Sequence, residues 1–433
     1  MVAPLGGRGG QGIVAAARRP KGGTLQARGL GAEFRKLWTA NAMSNLGDGV
    51  TVVAGPLLAA SLTRDPLLVA WLFFAHRLPW LLFSLVSGAL VDRLDRRLLM
   101  ATVDLVRFLL LGLLGVVVLV DAASIPLLYA VLFALGTAET LFDNAAVSIL
   151  PAVVPRDGLP RANARLLGAR VVAEELAAPP LGGLLFAAAA AVPFLLGAGS
   201  FAVAAVLIAA VRGSFRVERP EDAPPTTLRS EIAEGVRWLW RSRLLRILAL
   251  ALGLMNLTLM ATGSILVLFA QERLGLGPVG YGALLSSIAV GGIAASLVAE
   301  RIVGRLGAAT TMRVGLLVET STHLVLALAR SPLLVAAVFA LFGFHAVTWS
   351  VTSVSLRQEL VPARLLGRVN SAYAVFSYGG LSLGALVGGV LARRFGLTAP
   401  FWFSFVAMTL LVLAAWPILS TRTVRAAREQ AAS

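Results

Sequence analysis

The sequence predicts an all-α membrane protein with twelve transmembrane helices arranged as two pseudo-symmetric six-helix bundles. Three observations predict it. Of 433 residues, 58% are hydrophobic and only 14% charged, and the mean hydropathy of +0.84 lies well outside soluble composition. Twelve apolar stretches are long enough to cross a hydrocarbon core about 30 Å thick, which takes about 20 helical residues. Residues 150–185 align without a gap on 357–392, so the halves repeat one another. The composition excludes a cytosolic enzyme and a disordered chain. With no cysteine, a disulfide-stapled secreted protein and a Cys-based metal site are excluded as well.

The spans fall at 37–62, 67–91, 98–120, 124–150, 162–190, 193–212, 244–270, 278–303, 309–329, 332–356, 364–391 and 398–419. Charge, Pro or Gly bounds them. Runs such as Leu109 to Val120 are apolar on every side, whereas a barrel strand alternates apolar and polar over roughly ten residues. Orientation follows from the basic residues, because short cytoplasmic loops retain Lys and Arg. With the N-terminus inside, Arg64, Arg273, Arg330, Arg393 and Arg394 lie outside, Arg77 and Arg107 lie within spans, and the other basic residues lie in cytoplasmic segments. Both termini are therefore expected in the cytoplasm, as an even span count also requires. The net charge of +16 is spread between spans, so no nucleic-acid partner is expected.

Residues 1–33 are expected to form a disordered cytoplasmic tail, since Gly12 to Ala17 is too short for the apolar core of a signal peptide. Residues 34–212 make the first bundle. Segment 213–243 is a cytoplasmic linker with Pro220, Pro224 and Pro225, followed by apolar Ile232, Val236, Leu239 and Trp240 at helical spacing, which predicts a surface helix at the inner leaflet. Residues 244–420 make the second bundle and 421–433 a cytoplasmic tail. A shift of 207 residues lays Val154-Pro155 on Val361-Pro362, Arg161 on Arg368, Asn163 on Asn370 and Gly182 on Gly389. The fifth and eleventh spans are thereby equivalent, as in transporters built from duplicated bundles.

Between the second and third spans, Gly88-Ala-Leu-Val-Asp92-Arg93-Leu-Asp-Arg96-Arg97 resembles the signature loop of the major facilitator superfamily, with Asp95 in place of its middle Gly. Gly304-Arg305-Leu306-Gly307 is a degenerate copy in the second half. In the fifth span Ala178-Pro179-Pro180-Leu181-Gly182-Gly183 resembles the antiporter motif G-P-x-x-G-G, with Ala for its first Gly. The phrases Arg77-Leu-Pro79, Leu150-Pro-Ala-Val-Val-Pro-Arg-Asp157 and Gly367-Arg-Val-Asn-Ser371 are similar to the branch of enterobactin exporters and macrolide-efflux-like proteins. Over about residues 34–420 the resemblance implies export of small amphipathic molecules driven by the proton gradient. The proton-linked Arg-x-x-x-G segment of the family's fourth helix is absent. The resemblance also implies a gate role for the loop, in which Asp92 releases a helix end as one bundle rocks against the other, with Arg93, Arg96 and Arg97 beside it.

Ionisable groups deep in a bilayer are costly and so mark function. Asp48 lies about 16–18 Å into the first span, and Asn41, Asn45 and Asp48 form one polar stripe. This stripe lines a cavity or knits helices together. Glu139 and Asp143 are one turn apart at similar depth, as is Arg107. Two close carboxylates oppose each other's ionisation and an Arg favours it, and such a balance lets a carboxyl bind and release a proton. A static ion pair with Arg107 is the structural alternative. Glu174 and Glu175 diverge by about 100° on a helix, so one of them faces the interior. Pro179 and Pro180 bend the helix and Gly182-Gly183 permits close approach; Gly380, Gly384 and Gly388 at four-residue spacing read as packing. His76, His323 and His345 all fall inside spans, as proton sites or as hydrogen-bond anchors, and Glu319 with His323, at i and i+4, is the pair to test first. Phe344, His345 and Trp349, with Trp71, are candidate substrate contacts.

These readings predict a secondary transporter in the cytoplasmic membrane, with a small-molecule substrate, protons and membrane lipids as partners, acting as a monomer and not as an enzyme. No metal site, cofactor or ATP-binding loop of the G-x-x-x-x-G-K-[ST] type is expected. A lipid or lysolipid flippase of the same fold and a non-transporting membrane receptor are the alternatives.

Overall fold

The structure is a computed structural model and describes residues 30–91, 93–213, 215 and 236–432. The described residues are helical and contain no strand. Among the described residues, ten helices are long and apolar enough to cross a membrane. In the first half these are α1 (Ala32–Leu62), α2 (Pro66–Val91), α3 (Arg96–Leu119), α4 (Ile125–Val153), α5 (Leu159–Arg170 continuing to Ala178–Ala188) and α6 (Val192–Ala209). The second half contributes α7 (Arg243–Gly263), α8 (Pro278–Leu306), α10 (Pro332–Leu360) and α11 (Ala363–Phe395). Two further helices complete the twelve spans. One is α9 (Ala308–Leu328), less apolar because it carries Arg313, Glu319 and His323, and the other is the shorter apolar α12 (Ala399–Ala415).

The sequence sets many of these boundaries. Asp95 accepts from the backbone N–H groups of Arg97 and Leu98 and caps α3, an acidic group at the positive end of a helix. This is the physical use of the residue that departs from the signature loop. Pro sits in the first turn of α4, α8, α10 and α12, where its missing donor costs nothing. In α5 the helix widens to a π turn over Val171–Ala177, with the Ala178 N–H bonded back to the Ala173 carbonyl.

The helix pairings obey the predicted symmetry. In the first half α1 packs on α5 and α6, α2 on α4, and α3 on α4 and α6. In the second half α7 packs on α11 and α12, α8 on α10, and α9 on α10 and α12. Each pair maps onto its counterpart six helices later. Between the halves α2 meets α11 and α5 meets α8, and these two seams also exchange under that mapping.

Residues 30 and 432, the first and last described, and the Arg93–Arg97 turn emerge at one end of the bundle, called here the basic end. There Lys36 donates to the Ala210 carbonyl and Arg97 to that of Val211, tying the starts of α1 and α3 to the end of α6. At the opposite, far end one apolar core runs through both halves, from Val53, Leu57 and Leu132 to Phe269, Phe339 and Phe401. At the basic end the core splits in two. Phe34, Met100, Phe142 and Ile149 pack within the first half, while Leu245, Met312, Leu360 and Tyr373 pack within the second. Three arginine and carboxamide or carboxylate contacts clamp the far end, from Arg64 to Gln271 (2.7 Å) and Glu272 (4.0 Å) and from Arg393 to Asp65 (3.4 Å).

Two expectations about connecting segments look different in the structure. Of the expected surface helix only 236–241 is described; it is helical, buries Leu239 in the core of the second half and stacks Trp240 on Phe376. Residues 1–29 and 216–235 lie outside the described residues. The expected C-terminal tail is a thirteenth helix, α13 (Thr421–Ala432), docked through buried Val424 and an Arg428–Glu359 ion pair of 2.8 Å.

Candidate functional site

The first cluster forms around Arg107, whose side chain is 0% exposed. Its Nη1 lies 3.0 Å from Ser44 Oγ, 3.4 Å from Asp48 Oδ2 and 3.5 Å from Asp104 Oδ1. Ser44 donates to Asp104 at 3.1 Å and closes the ring. The guanidinium is also flanked by aromatic faces, 5.0 Å from the Phe142 centroid and 5.3 Å from that of Phe201. A buried charge survives only where partners replace its water, and here α1 supplies two and α3, α4 and α6 one each. One cation facing two carboxylates reaches neutrality when one carboxylate carries a proton.

The second cluster centres on Glu139 of α4. Its partners come from α2: His76 Nε2 at 3.3 Å and Arg77 Nη1 at 3.8 Å. The sequence paired Glu139 and Asp143 with Arg107, and the structure gives them other surroundings. The helix approach of α2 and α4 puts His76-Arg77 opposite Glu139, while Asp48 and Asp104 occupy Arg107. Asp143 makes no hydrogen bond or ion pair with a described residue, and the neighbouring Asn144 donates to Ser87 at 2.6 Å.

The third cluster lies in the second half. Glu319, 2% exposed, meets His345 Nε2 at 3.1 Å and His323 Nε2 at 3.6 Å. His345 stands edge-on to Trp349, with centroids 6.1 Å apart. An imidazole and a carboxylate this close can share one proton.

Apolar cavities adjoin the second and third clusters. One of about 200 Å³ is lined by Phe73, Tyr281, Phe339, Phe342, Phe401 and His323; a neighbour of about 160 Å³ is lined by His76, Arg77 and Leu132. Both contain Val52, Phe73 and Met260, so they meet at the boundary between the halves. A third of about 190 Å³ lies between α7 and α10 and includes Glu319, Trp349 and Arg357. Mostly apolar walls with a few convergent polar groups are the usual make-up of a small-molecule site.

The α5–α8 seam explains the bent helix. Pro180 has no N–H for the Leu176 carbonyl, and Ser286 of α8 donates to that carbonyl instead, at 3.0 Å. A side chain at Gly183 would strike the Pro278 carbonyl, and one at Gly282 the Pro179 carbonyl. Ala178 and Pro179 are buried beside them. Glu174 is half-buried and paired with Arg170 at 2.9 Å, whereas Glu175 is exposed, so one of the two acids faces inward as helical geometry requires. At the basic end Arg96 donates to the Ser148 carbonyl and Arg93 is exposed. Gly88 ends α2 nearby; Asp92 lies outside the described residues.

The sequence profile of the transmembrane secretion effector family matches residues 30–432. The chain belongs to that family, a branch of the major facilitator superfamily of transporters. Over 380 residues it is 27% identical to the multidrug efflux pump Tap of Mycolicibacterium fortuitum, covering 84% of this chain and 90% of Tap. Tap of Mycobacterium tuberculosis is 29% identical over 383 residues, covering 84% and 87%. Among solved structures, a bacterial homologue of the iron transporter ferroportin in its inward-facing state superposes with a TM-score of 0.71 at 19% identity, covering 90% of this chain and 98% of that one. The family and the fold agree with twelve spanning helices in two halves.

Against that frame, the clusters unite some residues the sequence singled out and separate others. Asp48 joins Arg107, and Glu319 joins both His323 and His345. Asn41 turns back to its own helix, donating to the Leu37 carbonyl at 2.9 Å, and Asn45 is half-buried. Phe344 is half-buried and lines none of the three cavities described, where Phe342 takes the place expected of it. Ser44, Asp104 and Arg170 were not singled out. Asp104 and Arg107 at i and i+3, and Arg170 and Glu174 at i and i+4, were the available signals.

Proposed function

We propose that this transporter is a secondary active exporter of small hydrophobic or amphipathic compounds, working by alternating access and driven by protons. The observation that carries the reading is the juxtaposition of an apolar cavity at the boundary of the halves with a buried glutamate–histidine pair on each side. His76–Glu139 borders it from the first half and His323–Glu319 from the second. Proton loading at either pair changes the charge seen by a substrate between the halves. The similarity to the efflux pump Tap supports the outward direction.

The continuous core at the far end and the divided core at the basic end support a state closed at the far end. With the positive-inside rule placing the basic end in the cytoplasm, this is the loading state. Asp92 and the arginines after it then form the gate that must rearrange as the basic end closes, and the chain acts as a monomer. The test is a proteoliposome screen with an imposed pH gradient against dyes, macrolides, siderophores and lysolipids. The reading expects accumulation of at least one compound only while the gradient lasts. Transport that ignores the gradient removes proton drive, and lysolipid movement alone makes the protein a flippase.

A further inference from the structure

A groove of about 640 Å³ runs between α1 and α5 at the basic end, outside the cavities described above. Arg35, Trp38 and Ala42 form its α1 wall, and Arg165, Gly168 and Val172 its α5 wall. The Trp38 indole donates to the Arg165 carbonyl at 3.1 Å and ties the walls together. No carboxylate lines the groove, and neither guanidinium has a hydrogen-bond or ion-pair partner among the described residues.

The groove opens away from the transport cavity. On α5 a different side carries the Arg170–Glu174 ion pair of 2.9 Å. At about 100° per residue, Arg165 stands about 140° around the helix from Arg170. Trp38 is 38% exposed and Val172 54% exposed, so this face looks out to where lipid surrounds the bundle. Along the axis Arg35 lies about 5 Å from the start of α1 and Arg165 about 9 Å from the start of α5, whereas Ala42 and Gly168 lie about 14–15 Å in. The two charges therefore stand at headgroup depth, and the small-residue wall of Ala42 and Gly168 at acyl depth.

We propose that this groove binds one anionic glycerophospholipid of the leaflet at the basic end. Its phosphate lies between Arg35 and Arg165, and one acyl chain follows Ala42, Gly168 and Val172. Basic pockets between spanning helices recognise anionic headgroups; two guanidiniums with no acid beside them lack the counter-charge that such a headgroup brings. A zwitterionic lipid carries its own cation and satisfies them less well. The inference does not depend on what the central cavity carries.

The purified protein in detergent would be titrated with dioleoyl phosphatidylglycerol and dioleoyl phosphatidylcholine, with retained lipid read by native mass spectrometry. The wild type is expected to hold one phosphatidylglycerol in preference to phosphatidylcholine. Arg35→Ala/Arg165→Ala should lower that preference by roughly tenfold to thirtyfold, at about a fivefold effect per arginine. Gly168→Phe keeps both charges and fills the groove; a side chain there meets nothing within 4 Å, so the variant should fold and still lose the lipid. Equal retention of both lipids by the wild type, or the wild-type preference in either variant, overturns the proposal.

Discussion

Arg107 of α3 and Asp48 of α1 face each other at 3.4 Å, with the guanidinium fully buried and the carboxylate side chain 24% exposed. The pair thus joins a sealed side to a partly exposed one. Asp104, completely buried on the far flank of the same guanidinium, fixes the cation in place, and Asp48 is the partly exposed member.

Removing the cation should be severe. Arg107→Met leaves Asp104 and Asp48 without a partner, and breaking a buried pair costs about 3–5 kcal/mol. A marked drop in the thermal unfolding temperature of the purified protein is expected. Adding Asp104→Asn to the same chain should recover part of it, because one orphaned charge is gone.

The glycine row of α11 should prove structural. A side chain at Gly384 meets the Leu257 carbonyl of α7, and one at Gly388 the Ala261 carbonyl. Gly384→Val should therefore destabilise by about 1–3 kcal/mol. Gly379→Ala, where nothing lies within 4 Å, is the matched control and should leave unfolding unchanged.

The α5–α8 seam should govern closure of the far end. Gly183→Val forces α5 from the Pro278 carbonyl, and Ser286→Ala takes the donor from the Leu176 carbonyl at a cost of about 1 kcal/mol. Spin labels on cysteines at 188 and 277, introduced into this chain without cysteine, should report a longer distance in Gly183→Val and a broader distribution in Ser286→Ala.

Topology can be checked with the same background. Single cysteines at residues 20, 230 and 425 should resist an impermeant thiol reagent in intact cells and react after permeabilisation. Labelling from outside would invert the assignment of the basic end.

The fold was legible because its determinants are one-dimensional. Span length, bounding charge and the 207-residue shift needed no tertiary information, and α9 was found although Arg313, Glu319 and His323 dilute its hydropathy. The clusters were only half legible. Depth along a helix can be counted, so Asp48, Glu139 and Arg107 were placed at one level. Which helices face one another at that level depends on packing between segments about sixty residues apart, and it gave Glu139 to His76 rather than to Arg107. Spacing within one helix did identify Glu319 with His323, whereas His345, on the next helix, could be reached only through the fold. The π turn of α5 arises from where the Leu176 carbonyl finds a donor, and that donor belongs to the other half.

The central claim is that the carboxylates of the first half couple substrate export to protons. The most direct measurement is pH-gradient-driven accumulation of a transported dye in proteoliposomes containing wild type, Asp48→Asn, Glu139→Gln or Asp143→Asn, with downhill exchange of the same dye in parallel. The account predicts that accumulation collapses in at least one variant while its exchange persists, because an amide mimics the protonated acid permanently. Wild-type accumulation in all three would contradict it and move the coupling site to Glu319 and its two histidines.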